Sequence, residues 1–115
     1  MTPEDVVRAQ LDAWSRLDVD EIMAYFTSDE VWDNVPFGPL SGYDEVRKAV
    51  EGYVRRTASA DIEIVHLAVA GNVVLTERVD HMQFDGNTFD TRVMGAGGCA
   101  GRSSARIIWC EQSDR

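Results

Sequence analysis

The sequence predicts an α+β fold in which helices cover one face of a curved, mostly antiparallel β-sheet. Three observations predict it. Apolar residues recur at helical spacing in the first half of the chain, alternation typical of strands dominates the second half, and Asp85-Gly86-Asn87 forms a hairpin signal between two strands. Helices and strands that are segregated in this way are typical of α+β architecture. At 115 residues, one domain spanning 1–115 is expected.

The chain is predicted to begin with two helices and a strand. Residues 2–17 are predicted to form the first helix, because Thr2 and Asp5 make a capping-box pattern and Pro3 stands at the first helical position. A second, short helix is predicted near residues 20–26. The segment VWDNVPF, which is stopped by its proline, is predicted to be a strand.

A third helix and four antiparallel strands are predicted next. Ser41 shows the pattern of a helix cap, and residues 62–69, 73–84 and 88–94 alternate like strands, with ARIIWCE as the last strand. The segment GAGGCAGRSSAR contains four glycines and no apolar alternation, so we expect a flexible loop there. Its glycines lack the spacing of a nucleotide-binding loop, and residues 95–115 form an atypical C-terminal segment.

Composition excludes several classes of function. A net charge of −9 disfavours binding to nucleic acid or to anionic lipid, because both require a basic surface. No apolar run is long enough to cross a membrane, and no signal peptide is visible, so a cytoplasmic protein is expected. Cys99 and Cys110 fit neither a metal nor a disulfide spacing. His66 and His81 have no carboxylate at a convincing spacing along their strands, so we expect both to be structural or exposed.

The candidate site begins with the strand VVLTERVDHMQF. Side chains alternate between the two faces of a strand, so Thr76, Arg78, Asp80 and Met82 share one face. Two interpretations of the arginine and the carboxylate remain open on this segment alone. They form either a polar site inside a pocket or a solvated ion pair on an edge strand.

With these elements in order, the chain resembles the limonene-1,2-epoxide hydrolase family. That family belongs to the cystatin-like (NTF2-like) α+β cone group, which also contains ketosteroid isomerases and SnoaL-type polyketide cyclases. The resemblance rests on VWDNVP, GPLSGYDEVRKAV and above all TERVD. It runs from about residue 3 to residue 94 and, more weakly, over 106–114. The fold that it implies is a cone formed by a curved sheet and its helices.

Three motifs of that family fall on pairs of residues spaced by two. They are the arginine-x-aspartate, the aromatic-x-asparagine and the closing tryptophan-arginine-aspartate motifs. The matching pairs are Arg78 with Asp80, Trp32 with Asn34, and Trp109 with Glu111. Each pair projects from one face of its strand, so a sheet that curves around these faces would gather them in one cavity.

The resemblance implies epoxide hydrolysis by two carboxyl groups without a metal or organic cofactor. Asp80 would protonate the epoxide oxygen, and Glu111 would take a proton from the attacking water. Arg78 would orient both carboxyl groups, and Asn34 would hold the water. The candidate substrate-binding residues are Trp32, Trp109, Phe37, Leu40 and Met82. The partners it implies are a small apolar substrate and a second copy of the chain, which would form a homodimer through the outer face of the sheet.

The end of the chain departs from the family pattern. Trp32 stands where the family has tyrosine, Cys110 replaces an arginine, and Glu111 is one methylene longer than the aspartate. A sequence error, a frameshift or genuine drift would each produce such an ending. Two other functions therefore stay open. One is an isomerase or cyclase that uses Asp80 as its only base, and the other is a binding domain that has kept the pocket without catalysis.

Overall fold

The structure, a computed structural model, describes residues 2–26, 31–35, 39–100 and 104–112. Residues 31–35, 39, 98–100 and 104–112 are described by their backbone positions. Three helices and six strands follow one another along the chain. They are α1 (Pro3–Arg16), α2 (Val19–Met23), β1 (Val31–Val35), β2 (Pro39–Ser41), α3 (Tyr43–Arg56), β3 (Thr57–Ala70), β4 (Val73–Phe84), β5 (Asn87–Ala100) and β6 (Ser104–Gln112).

Helix α1 begins at the capping box that the sequence predicts. The backbone N–H of Asp5 donates to Thr2 Oγ1 at 3.2 Å, and the backbone N–H of Thr2 donates to the Asp5 carboxylate at 3.1 Å. These hydrogen bonds, the one from the Thr2 backbone above all, hold the pKa of Asp5 below its usual value. Each satisfies a backbone donor that a helix start leaves without an intrahelical partner. The box therefore fixes where the first helix begins.

The predicted cap at Ser41 is wrong. Helix α3 begins at Tyr43 after Gly42, which has a φ of 88° and provides no side-chain cap. Ser41 instead ends strand β2, where it pairs with Val31 of β1. Its backbone N–H donates to the Glu45 carboxylate at 3.3 Å. Pairing with β1 holds Ser41 in an extended conformation, so the cap position falls on Gly42 and the helix starts at Tyr43.

The six strands form one sheet in the order β2-β1-β6-β5-β4-β3. Strands β3 to β6 pair antiparallel with their neighbours, as predicted, whereas β1 pairs with β6 in parallel. The hairpin between β4 and β5 turns at Asp85 and Gly86, where both residues have positive φ (51° and 80°). A two-residue turn of this kind matches the twist of the strands that it joins. The predicted α+β class, with a mostly antiparallel sheet, is confirmed.

The glycine-rich segment corrects a second prediction, because most of it is strand rather than loop. Residues 95–100 continue β5, and β6 begins at Ser104, while residues 101–103 lie outside the described ranges. In the ladder, Gly95 pairs with Thr76 and with Trp109. The hydrogen bonds between strands use only backbone atoms. Pairing with the neighbouring strands therefore holds this segment in an extended conformation, although its own strand propensity is low.

The helices cover one face of the sheet, which we call the inner face, and the other is the outer face. Six residues of the inner face are buried on β4 and β5: Val74, Thr76, Arg78, Val93, Gly95 and Gly97. The alternating residues of the outer face are exposed, among them Val73, Leu75, Glu77 and Met94. Helices α1 and α3 both contact β3, and α1 also contacts β4 and β5. The hydrophobic core therefore lies between the helices and the inner face.

Candidate functional site

Arg78 and Asp80 form an ion pair on the inner face of β4. The Nη2 atom of Arg78 lies 3.2 Å from Oδ2 of Asp80, and the two side chains are 6% and 14% exposed. Strand β4 has β3 on one side and β5 on the other, so it is not an edge strand. The interpretation as a solvated ion pair on an edge strand is therefore wrong. An arginine and a carboxylate held together at this depth can bind, orient or exchange a proton with a ligand.

The register of the sheet brings Glu111 into line with this pair. Arg78 is the Cα partner of Val93 on β5, and Val93 is in turn the partner of Glu111 on β6. Residues that are partners across a sheet belong to the same face, so position 111 belongs to the inner face. Strands β4 and β6 are two spacings apart, on the order of 10 Å between their backbones. Position 111 therefore lies on the same face as Arg78, one strand beyond Val93.

A second row of Cα partners crosses four strands. It runs from Thr76 on β4 through Gly95 and Trp109 to Asn34 on β1. Trp32 belongs to the next row, which reaches β4 at Val74. By register, all three pairs of candidate residues therefore belong to the inner face. Four of those six positions, on β1 and β6, are described by their backbone alone.

The remaining candidate residues for substrate binding lie around the same face. Leu40 is partly buried, packs against the core and is the Cα partner of Trp32. Met82 is half-buried and follows Asp80 on the inner face of β4. Phe37 lies outside the described residues. The first two positions are compatible with a pocket wall and equally with the core.

Two buried polar residues escaped the sequence prediction as possible site members. Thr76 is 1% exposed and Gln10, on α1, is 2% exposed. Thr76 Oγ1 and Gln10 Nε2 make no hydrogen bond within the part of the chain that the structure describes. The signal for Gln10 was present, because this polar residue stands at helical spacing within the apolar stripe of Val7, Leu11 and Trp14. For Thr76 the signal was its alternation with Arg78.

His81 has two carboxylate neighbours on the outer face, which the sequence did not predict. Its Nδ1 atom lies 2.7 Å from Oδ1 of Asp90 on β5, and its Nε2 atom lies 3.0 Å from Oε1 of Glu63 on β3. In the same way, Nδ1 of His66 contacts Glu77 on β4 at 2.5 Å. The carboxylates stand on neighbouring strands, so spacing along one strand could not predict them. The side chain of His81 is 39% exposed and that of His66 is 81% exposed.

From the surroundings of His81 we expect a pH-dependent contribution to stability. Hydrogen bonds from His81 to Asp90 and then to Glu63 raise the pKa of the imidazole in the folded state. The contribution of the group is therefore complete below its unfolded pKa of about 6.5 and is lost as the pH rises through the higher folded value. We expect the melting temperature to fall across that interval in the wild type. His81→Gln should remove this part of the pH dependence, measured by circular dichroism at a series of pH values.

A groove lies between α1 and strand β3, beside the inner face. Its volume is about 490 Å³, and it is lined by Arg8, Ala9, Leu11, Asp12, Ser15, Asp61, Ile62 and Ile64. Ile62 and Ile64 are the Cα partners of Asp80 and Arg78. None of the candidate substrate-binding residues lines this groove, which therefore adds a concave surface that the sequence did not predict.

Two further observations concern metal binding and membrane crossing. Across the described ranges, no group of three His, Cys, Asp or Glu side chains is arranged to hold a metal ion. In particular, Glu63 and Asp90 lie on opposite sides of the His81 ring and do not converge on one point. Within the same ranges, no helix is both long and apolar enough to cross a membrane.

Comparison with known proteins identifies the architecture. The model of a family described as SnoaL-like domain matches residues 7–97. An NTF2-like protein of unknown function from Burkholderia pseudomallei superposes with a TM-score of 0.83 at 14% identity, covering 96% of this chain and 90% of that one. A hypothetical protein with a ketosteroid isomerase-like fold from Catenulispora acidiphila, in complex with trimethylamine, gives 0.81 at 18% identity, with coverages of 96% and 86%.

An LEH-like epoxide hydrolase from M. tuberculosis is similar as well. Its TM-score is 0.76 at 24% identity, and the match covers 92% of this chain and 80% of that one. At these identities the likeness to solved structures shows the fold alone. The expected NTF2-like cone is therefore confirmed.

Proposed function

The chain belongs to the SnoaL-like domain family, and we propose that within it the protein hydrolyses a small, largely apolar epoxide to a vicinal diol. One observation carries this proposal. The buried Arg78–Asp80 ion pair stands on the inner face, in line through Val93 with a second carboxylate position at Glu111. Opening an epoxide with water requires one proton to be removed and one to be supplied, which two carboxyl groups can do together.

The proposed reaction is a single concerted step. In its protonated form, the carboxyl group of Asp80 gives its proton to the epoxide oxygen as the carbon–oxygen bond of the ring breaks, and the ion pair with Arg78 is the state that follows. Water forms the new bond to that carbon and loses a proton to the Glu111 carboxylate, with Asn34 orienting the water. Arg78 stabilises the Asp80 carboxylate that results. Return of one proton from Glu111 to Asp80 restores the starting state.

The experiment that tests this function follows the oxygen of water into the product. Purified protein is mixed in excess with cyclohexene oxide in isotopically labelled water, and the diol of a single turnover is analysed by mass spectrometry. Direct attack by water places the label in the diol during the first turnover. Attack by a carboxylate would deliver an unlabelled oxygen first, which contradicts the concerted mechanism. Absence of diol from a panel of cyclic and terpene epoxides contradicts the function itself.

A second candidate function is proton abstraction next to a carbonyl group, as in an isomerase or cyclase. It is favoured by one observation: among side chains that the structure describes, Asp80 is the carboxylate of the buried inner face of β4 and β5. A single base of this kind would exchange a carbon-bound proton with solvent. Deuterium incorporation into a cyclic ketone, without diol formation from epoxides, would favour this candidate over hydrolysis.

The homodimer implied by the family resemblance stays a prediction. The side chains that a second copy would cover on the outer face include Val73, Leu75 and Met94, which are 41%, 45% and 46% exposed. Exposed apolar side chains on adjacent strands are typical of an interaction surface. Sedimentation equilibrium measures the oligomeric state directly.

A further inference from the structure

Two polar side chains that the proposed mechanism does not use are buried between α1 and the sheet. Thr76 and Gln10 are 1% and 2% exposed, and neither Thr76 Oγ1 nor Gln10 Nε2 has a hydrogen-bond partner in the described portion of the chain. Burying a polar atom without a partner is unfavourable, because the atom loses its hydrogen bonds to water. Apolar residues of the same size at both positions would make the folded protein more stable. A bound ligand that forms hydrogen bonds with both side chains would account for their presence.

Thr76 lies beside a stretch of β5, Gly95 to Gly97, that contributes no side chain to the inner face. Thr76 and Gly95 are Cα partners, so both belong to the inner face. Gly95 is buried, and Gly97, the next inner-face residue of β5, is buried as well. Thr76 precedes Arg78 by two residues, about 7 Å along the strand. A molecule of one ring that binds at Arg78 and Asp80 can therefore reach Thr76.

Gln10 approaches the same region from the helix. Leu11 belongs to the side of α1 that lines the groove against β3. Successive residues of a helix are separated by about 100°, and Gln10 lies on the side of the buried stripe turned away from that groove. Helix α1 also contacts β4 and β5, the strands of Thr76 and Gly95. The amide of Gln10 is thus directed into the interior rather than toward the edge strand.

We infer that Thr76 and Gln10 form a polar subsite that binds a carbonyl or hydroxyl oxygen of the substrate. The amide nitrogen of Gln10 only donates hydrogen bonds, so its partner must be an acceptor, and the Thr76 hydroxyl can donate to the same kind of group. Resting on the proposed function, this inference names the substrate class. The substrate is a cyclic epoxide that carries one further oxygen function on an otherwise apolar skeleton.

Equilibrium binding of two unreactive probes tests the subsite. Carvone and limonene share one skeleton and differ in the ring carbonyl. We expect the wild type to bind carvone more tightly, by on the order of tenfold, as one net hydrogen bond provides. Thr76→Val and Gln10→Met should each reduce this preference severalfold, whereas Thr76→Ser, which keeps the hydroxyl, should retain it. Isothermal titration calorimetry gives each dissociation constant.

Thermal unfolding shows whether the variants report on the subsite rather than on folding. Thr76→Val and Gln10→Met should melt at or above the wild-type temperature, since each removes a buried polar atom that has no partner among the described residues. Equal affinity of the wild type for both probes, or an unchanged preference in both variants, overturns the inference. A carvone preference that depends on Thr76 and Gln10, without hydrolysis of any epoxide, upholds the subsite and rejects the hydrolase. Diol formation without such a preference does the reverse.

Discussion

Asp80→Asn should lower the turnover of a cyclic epoxide by about two to four orders of magnitude, the usual contribution of a general acid or base. The substitution preserves the shape of the side chain but removes the proton that the ring oxygen must receive. Substrate binding should change much less, because the carboxamide still forms hydrogen bonds in the same place. The expected result is a loss in kcat with KM nearly unchanged, measured by chromatography of the diol.

Glu77→Gln is the matched control for that experiment. Glu77 lies on the same strand, three residues before Asp80, but its side chain is 51% exposed on the outer face and pairs with His66. Removing its charge should leave turnover at the wild-type value. Wild-type turnover in Asp80→Asn, with a normal circular dichroism spectrum, would show that another group supplies the proton.

Arg78→Met should lower the free energy of unfolding by about 3–5 kcal/mol, the usual cost of removing one member of a buried ion pair. The Asp80 carboxylate is 14% exposed and would lose the guanidinium that lies 3.2 Å away. Arg78→Lys should be less harmful to folding, because it keeps a positive charge. Lysine cannot reproduce the planar fork of arginine, so turnover should still fall. Urea unfolding gives the midpoint and slope for each variant.

Arg92→Met provides the comparison for that loss of stability. Arg92 is the Cα partner of Val79, so it belongs to the outer face, and it is exposed. Its replacement should change the free energy of unfolding by no more than about 1 kcal/mol, the upper range for an exposed ionic contact. The Arg78→Met/Asp80→Asn double variant should recover part of the stability lost in Arg78→Met. Equal stability of Arg78→Met and Arg92→Met would mean that the buried ion pair does not support the fold.

Much of the fold could be predicted from local patterns, and the failures have a common physical cause. The bounds of β4 and the start of α1 follow from alternation and from the Thr2–Asp5 capping box, both of which are properties of contiguous residues. The strand from Gly95 to Ala100 could not be predicted, because glycine has no preference for extended structure and the neighbouring strands impose it. Ser41 failed as a cap for the same reason, since its partner strand decides its conformation.

The residues of the candidate site also differ in whether the sequence could predict their positions. Arg78 and Asp80 could be placed on one face because two residues along a strand always share a face. The carboxylates beside His81 could not be predicted, because Glu63 and Asp90 reach it across strands whose register no single strand encodes. Gln10 shows an intermediate case. A polar residue inside an apolar helical stripe is visible in the sequence. Only the structure shows that the side chain of Gln10 is buried and therefore has little access to water.

The parallel pairing of β1 with β6 has a consequence for how the molecule assembles. Short connections link strands β3, β4 and β5. Strand β1, in contrast, pairs with β6, from which α3 and the strands β2 to β5 separate it in the sequence. Closing so long a loop is entropically unfavourable and is typically among the slow events of folding. Asn34 and Glu111 stand on the two strands that meet in this way, whereas Arg78 and Asp80 stand in the meander. We therefore expect the two positions that the proposed mechanism assigns to water, Asn34 and Glu111, to come into register later than Arg78 and Asp80.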